Sequence, residues 1–105
     1  MKQISAPELA ALLQSGTPPL VLDVREPWEV ALANLPGSVH IEMNEIPERH
    51  GELPQDQTII CVCHHGMRSM QVGLFLEHAG HTDIVNLQGG IAAWARDVDP
   101  SCPSY

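Results

Sequence analysis

Aromatic residues are scarce in this chain. One Phe, one Tyr and two Trp occur among 105 residues, 4% in all. Its core must therefore be packed mainly from Leu, Val, Ile and Ala, and a hydrophobic content of 44% is enough for that. Cationic side chains are also few. Five Lys and Arg stand against thirteen Asp and Glu, a formal charge of −8, and Lys2 is the single lysine. Phosphate backbones are held by clustered Lys and Arg, so nucleic acid is not an expected partner. The same charge opposes an anionic membrane surface. Long apolar runs are missing too, since no stretch approaches the roughly 20 residues of a membrane span. The opening segment MKQISAPELAALLQSG carries Glu8 within its short apolar part and reads as a helix rather than a secretory leader. Cysteine occurs three times. An odd count without a leader points to a reducing cytoplasm rather than to a disulfide scaffold. The length suits one domain over residues 1–105.

Local signals then divide the chain. Ser5 and Glu8 form an S-x-x-E capping box, Ile4 and Leu9 are placed as a hydrophobic staple, and Gly16 stops the helix. The run ending at Asp23 reads as a strand buried on both faces, as in parallel sheets. EPWEVALAN predicts a short helix, PGSVHIEM a turn and short strand, and NEIPERHGELPQDQ a short helix or loop. TIICVC is a second buried strand. Over residues 67–79, Val72, Phe75, Leu76 and Ala79 recur at helical spacing, and Gly80 ends the helix. TDIVNL predicts a third strand and GGIAAWARD a last helix. Residues 97–105 read as a mobile tail. Alternating strands and helices imply a three-layer α/β domain with a mainly parallel sheet. Such sheets bind ligands outside the carboxyl ends of their strands, where Asp23 and Cys63 fall.

Cys63 stands between a strand and a helix, followed by HHGMRS. That loop points backbone N–H groups inward near a helix N-terminus, which makes an anion site. An anion site around a thiol favours its nucleophilic thiolate. Gly66 permits a turn that other residues resist. Arg68 adds a planar donor fork suited to an oxyanion. The expected product is a nucleophilic cysteine in an anion cradle, with a small anionic substrate.

DVREPWE, CHHGMRS and NLQGGIAAW, in this order and spacing, resemble the single-domain rhodaneses, which are sulfurtransferases. The resemblance spans roughly residues 3–96. It implies a rhodanese-like α/β fold and catalysis by Cys63. The thiolate takes the outer sulfur of a donor such as thiosulfate, a Cys63 persulfide remains, and cyanide, a thiol or a protein acceptor removes the sulfur. It implies a covalent persulfide with no further cofactor, and ping-pong kinetics. The loop residues His64, His65, Gly66, Met67, Arg68 and Ser69 would then hold the persulfide and the donor. Where members commonly have GHIPGA, this chain has ANLPGS, without the Gly-His pair.

Phosphatases and arsenate reductases on the same fold carry C-x5-R. Here Arg68 follows Cys63 after four residues, and the shorter ring fits one sulfur better than a tetrahedral phosphate. A third alternative is a sulfur carrier or docking domain without efficient turnover of small donors. The remaining motifs read more simply. Asp23, with Arg25, either shapes the pocket or forms a structural carboxylate that caps a turn or pairs with an arginine. Cys61 reads as core, Cys102 as a loose tail thiol, and Trp28 and Trp94 as core. C-V-C-H-H lacks the separated ligand pairs of a zinc site.

Overall fold

The computed structural model describes residues 1–105. Five strands, β1 Lys2–Ile4, β2 Leu20–Asp23, β3 Val39–His40, β4 Ile59–Val62 and β5 Ile84–Leu87, form one sheet in the order β1-β5-β4-β2-β3. Every pairing is parallel. The helices are α1 Ala6–Leu13, α2 Pro27–Leu32, α3 Ile46–Arg49, α4 Met67–His78 and α5 Gly90–Asp97. Two 3-10 turns, Met43–Glu45 and His50–Glu52, flank α3.

The three layers follow from the pleat of β4. Ile60 and Val62 join Leu9 of α1 and Ile91 and Trp94 of α5 in one core. Ile59, Cys61 and Cys63 join Ile46 of α3 and Val72 and Leu76 of α4 in the other. Adjacent strand residues point to opposite faces, so a strand buried on both sides shows no polar alternation. The capping box at Ser5 and Glu8 is present, and Ile4 and Leu9 are both buried.

Three expectations need correction, and one strand carries no sequence signal. β1 gave no sequence signal, because Lys2 and Gln3 are polar and exposed and only Ile4 is buried. It is held by pairing with β5. On α4 the buried stripe is Ser69, Val72, Gly73 and Leu76, whereas Phe75 and Ala79 are exposed. The helix turns this face inward because Gly73 lets it lie close to β5, where a Cβ would come within 3.3 Å of Ile84. Trp28 is 57% exposed rather than core, with its Nε1 donating to Glu26 Oε2 at 3.1 Å. Nor is the tail free. Val98 and Asp99 bond to the Trp94 carbonyl, Cys102 is buried in the α1/α5 core, and Tyr105 reaches back to Arg25 and Glu29.

One buried polar group lies away from the strand ends. His81 is 4% exposed, with its Nε2 3.1 Å from His50 Nδ1 and its Nδ1 3.4 Å from Gln55 Nε2. Burial, and then the neighbouring His50, lower its pKa from the usual value. The folded state therefore prefers the neutral ring. That stabilisation is complete above the unfolded-state pKa of about 6.5 and is lost as pH falls from there through the folded value. Thermal melts at pH 7.5 and pH 5.5 are expected to show a larger drop in midpoint for the wild type than for His81→Gln.

Candidate active site

Cys63 follows directly on β4, and the four residues CHHG separate that strand from α4. The thiol is 1% exposed. Gly66 N–H donates to Sγ at 3.1 Å. Gly66 has φ +104° and lies against β5, where a Cβ would come within 3.3 Å of the Leu87 carbonyl and the Gly89 nitrogen. A left-handed turn this close to a neighbouring backbone requires glycine.

Ser69, on the first turn of α4, places Oγ 3.3 Å from Sγ and 2.5 Å from Asn86 Oδ1. A hydroxyl has one proton. The Asn86 amide nitrogen donates to the Gly66 carbonyl and to Gln3 Oε1, which leaves Oδ1 as the acceptor for Ser69. The short bond takes the proton, and a lone pair of Ser69 Oγ then faces the thiol. At 3.3 Å the same hydroxyl is also within reach to donate to a sulfur anion, in place of the Asn86 bond. Asn86 is thus a supporting residue that sequence reasoning missed, although a polar residue inside the buried run IVNL was its signal.

The loop is fixed from behind by α5. Ile91 N–H donates to the Cys63 carbonyl at 2.9 Å and Ala92 N–H to the His64 carbonyl at 3.1 Å. These bonds hold the Cys63 and His64 carbonyls on α5. Gly90, at φ +61°, touches this backbone, and a Cβ there would lie 2.4 Å from the Cys63 and His64 oxygens. Gly90→Ala is expected to cost roughly 2–3 kcal/mol through positive-φ strain and displacement of the loop. A lowered melting temperature together with slower sulfur loading of Cys63 is the readout.

The other anticipated site residues fall into two groups. His64, His65, Gly66, Met67, Arg68 and Ser69 all surround the cysteine turn. His65 and Met67 are exposed. His64 is half-buried and sandwiched between the His65 ring, with centroids 4.0 Å apart, and the Tyr105 ring, also at 4.0 Å. Burial, then His65, lowers its pKa. Arg68 is paired rather than free. Its guanidinium makes a bidentate pair with Glu29, at 2.6 and 2.8 Å, and Glu29 is 3% exposed. Arg68 above all holds the Glu29 carboxyl down to about 2.

Asp23 and Arg25 do not line an open pocket, because they are 1% and 0% exposed. Arg25 spends its donors internally. Nε and Nη2 reach Asp23 at 2.9 and 2.7 Å, Nη2 also reaches the Ala33 carbonyl, and Nη1 reaches Tyr105 Oη at 2.8 Å. Asp23 also accepts from the Arg25 backbone N–H, so it both caps the turn and pairs with an arginine. Tyr105 Oη donates in turn to Glu29 Oε2 at 2.7 Å. Burial raises the Tyr105 pKa to about 12. A polar chain Asp23–Arg25–Tyr105–Glu29–Arg68 therefore ends at the cysteine loop. Cys61, on the α4 side of the sheet, is fully buried, and burial raises its thiol pKa to about 12.

The site is a cysteine turn that follows directly on a central strand of a parallel α/β domain and is backed by the first turn of a helix. A rhodanese-like domain model matches residues 5–97. A sulfurtransferase of Allochromatium vinosum is 34% identical over 96 residues, covering 91% of this chain and 90% of its own length. The thiosulfate sulfurtransferase GlpE of Pseudomonas fluorescens is 30% identical over 93 residues, covering 89% and 84%. The crystal structure of a rhodanese-like domain protein from Staphylococcus aureus superimposes with a TM-score of 0.87 at 32% identity, over 100% of this chain and 99% of that one. The chain belongs to the rhodanese-like domain family, and its activity is that of a sulfurtransferase. No helix is long and apolar enough to cross a membrane.

Proposed function

We propose that the chain moves sulfane sulfur through a persulfide on Cys63, from a donor such as thiosulfate to cyanide, a thiol or a protein acceptor. The observation that carries this reading is the position of Cys63 Sγ at the end of β4, with the Gly66 N–H 3.1 Å and the Ser69 hydroxyl 3.3 Å away. Both groups can donate to a sulfur anion, and charge-assisted bonds of this kind are the stronger ones. In the first step the thiolate forms a bond to the outer sulfur of thiosulfate, and the electron pair of the broken S–S bond leaves with sulfite. In the second, cyanide takes the outer sulfur as thiocyanate and the Cys63 thiolate returns. Charge and electrons balance in each step, and neither step calls on a cofactor or a metal.

The loop residues 64–69 are assigned to holding the persulfide, with Gly66 and Ser69 as the direct donors. The three unpaired thiols support a reducing cytoplasm as the place of action. Intact-protein mass spectrometry after brief incubation with thiosulfate tests the reading. A gain of one sulfur atom, reversed by cyanide, is the expected result. A protein that stays unmodified by thiosulfate and by persulfide donors alike would refute it.

A further inference from the structure

A hollow of about 460 Å3, lined by Val24, Glu26, Glu42, Met43, Asn44 and Arg68, lies beside the first turn of α4. Strand register places it next to Cys63. Asp23 pairs with Val62, so Val24 and Cys63 are the residues that follow directly on two adjacent strands, and both belong to the same core. A donor approaching along this hollow meets its charges before it meets the sulfur.

Those charges are acidic. Glu26 is exposed and Glu42 half-buried, and neither is in an ion pair. Arg68 is the one cation of the lining, and Glu29 already neutralises it through two bonds. Glu29 cannot readily let go. Its Oε2 also accepts from Tyr105 and its Oε1 from the Glu26 backbone N–H, and Tyr105 is anchored on the fully buried Arg25. Met43 is shared with a smaller hollow lined by Ile46, Pro47, Gln71, Val72 and Phe75, where a hydrocarbon group has apolar surface to cover.

We infer that Glu26 and Glu42, with Arg68 masked by Glu29, set the donor specificity of Cys63 toward organic persulfides whose carbon end is cationic or uncharged, and away from anionic donors. This rests on the persulfide reading. It makes thiosulfate a usable laboratory donor but a disfavoured one. The step balances as before. The Cys63 thiolate bonds to the outer sulfur of R–S–SH, the S–S bond breaks, and the pair leaves on RS⁻.

Three donors that share the persulfide and differ only in charge isolate the effect: the persulfides of cysteamine, 2-mercaptoethanol and 3-mercaptopropionate. Loading of Cys63 by each is followed by intact-protein mass spectrometry at low ionic strength. Each partly solvated carboxylate is expected to contribute on the order of tenfold to the ratio of cationic to anionic loading rates. That ratio should shrink with added salt. It should collapse toward one in the Glu26→Gln/Glu42→Gln protein, whose changes lie on the rim and leave the core intact. Equal rates for the three donors, or a ratio that survives both substitutions, would overturn the inference while leaving the persulfide reading standing. Failure of all three donors and of thiosulfate to load Cys63 would overturn both.

Discussion

Cys63→Ser is expected to abolish sulfur transfer while leaving the fold intact. Serine differs from cysteine by one atom, and its Oγ can still accept the Gly66 N–H bond that Sγ accepts at 3.1 Å. The loop stays pinned by the Ile91 and Ala92 bonds to the Cys63 and His64 carbonyls, which involve backbone alone. What is lost is the nucleophile. A hydroxyl is a far weaker nucleophile than a thiolate, and no base adjoins this position to activate it. Ser69 Oγ donates a hydrogen bond to Asn86 Oδ1 and is no base. The neighbouring His64 ring is stacked between His65 and Tyr105. Thiocyanate formation from thiosulfate and cyanide should fall by on the order of 10³-fold or more, as when a covalent nucleophile is removed from other enzymes. An unchanged melting temperature separates this loss from unfolding. Retained transfer in the serine protein would remove Cys63 from the mechanism.

The largest effect on stability is expected at Arg25. Its side chain is fully buried, and Asp23, buried beside it, depends on it for three of its side-chain contacts. Methionine has a similar volume on a shorter chain, and no donors. In Arg25→Met the Asp23 carboxylate keeps only the bond from the residue 25 backbone N–H, at 3.1 Å. The Ala33 carbonyl and Tyr105 Oη lose their donor as well. Breaking a buried pair by removing one partner costs about 3–5 kcal/mol, because the remaining charge stays desolvated and unpaired. Urea unfolding should show that loss. Adding Asp23→Leu to Arg25→Met should return much of it, since replacing both partners removes the stranded charge. If the double variant were no more stable than the single, the cost would lie in the Ala33 and Tyr105 bonds instead.

Both substitutions act on positions that were visible in the sequence to different degrees. Cys63 and its loop were legible because their order along the chain is their arrangement in space: strand end, turn, helix start. The same holds for the capping box at Ser5 and Glu8. Alternating strand and helix signals were enough to imply the three layers. Glu29 and Tyr105 were not legible as site neighbours. Their roles come from contacts between residues 39 and 76 positions apart, and no local spacing encodes those. The contacts of the tail are hidden from the sequence for the same reason. A proline-containing end with one tyrosine resembles a free terminus until the partner on Arg25 is known. Arg68 was legible as a cation beside the cysteine, but its neutralisation by Glu29 depends on how α2 lies against α4.

The pairing of Lys2 with Val85 has a consequence for how this domain comes into being. A parallel sheet whose first strand pairs with its last closes a loop of most of the chain, and such non-local contacts slow folding. During synthesis, the segment that becomes β1 leaves the ribosome long before β5 exists. An apolar segment left waiting would be open to pairing with other chains. The sequence KQI carries a charge, an amide and one isoleucine, and Ser5 breaks off the run. The polarity that hides this strand from pattern reading also keeps it solvated until its partner arrives.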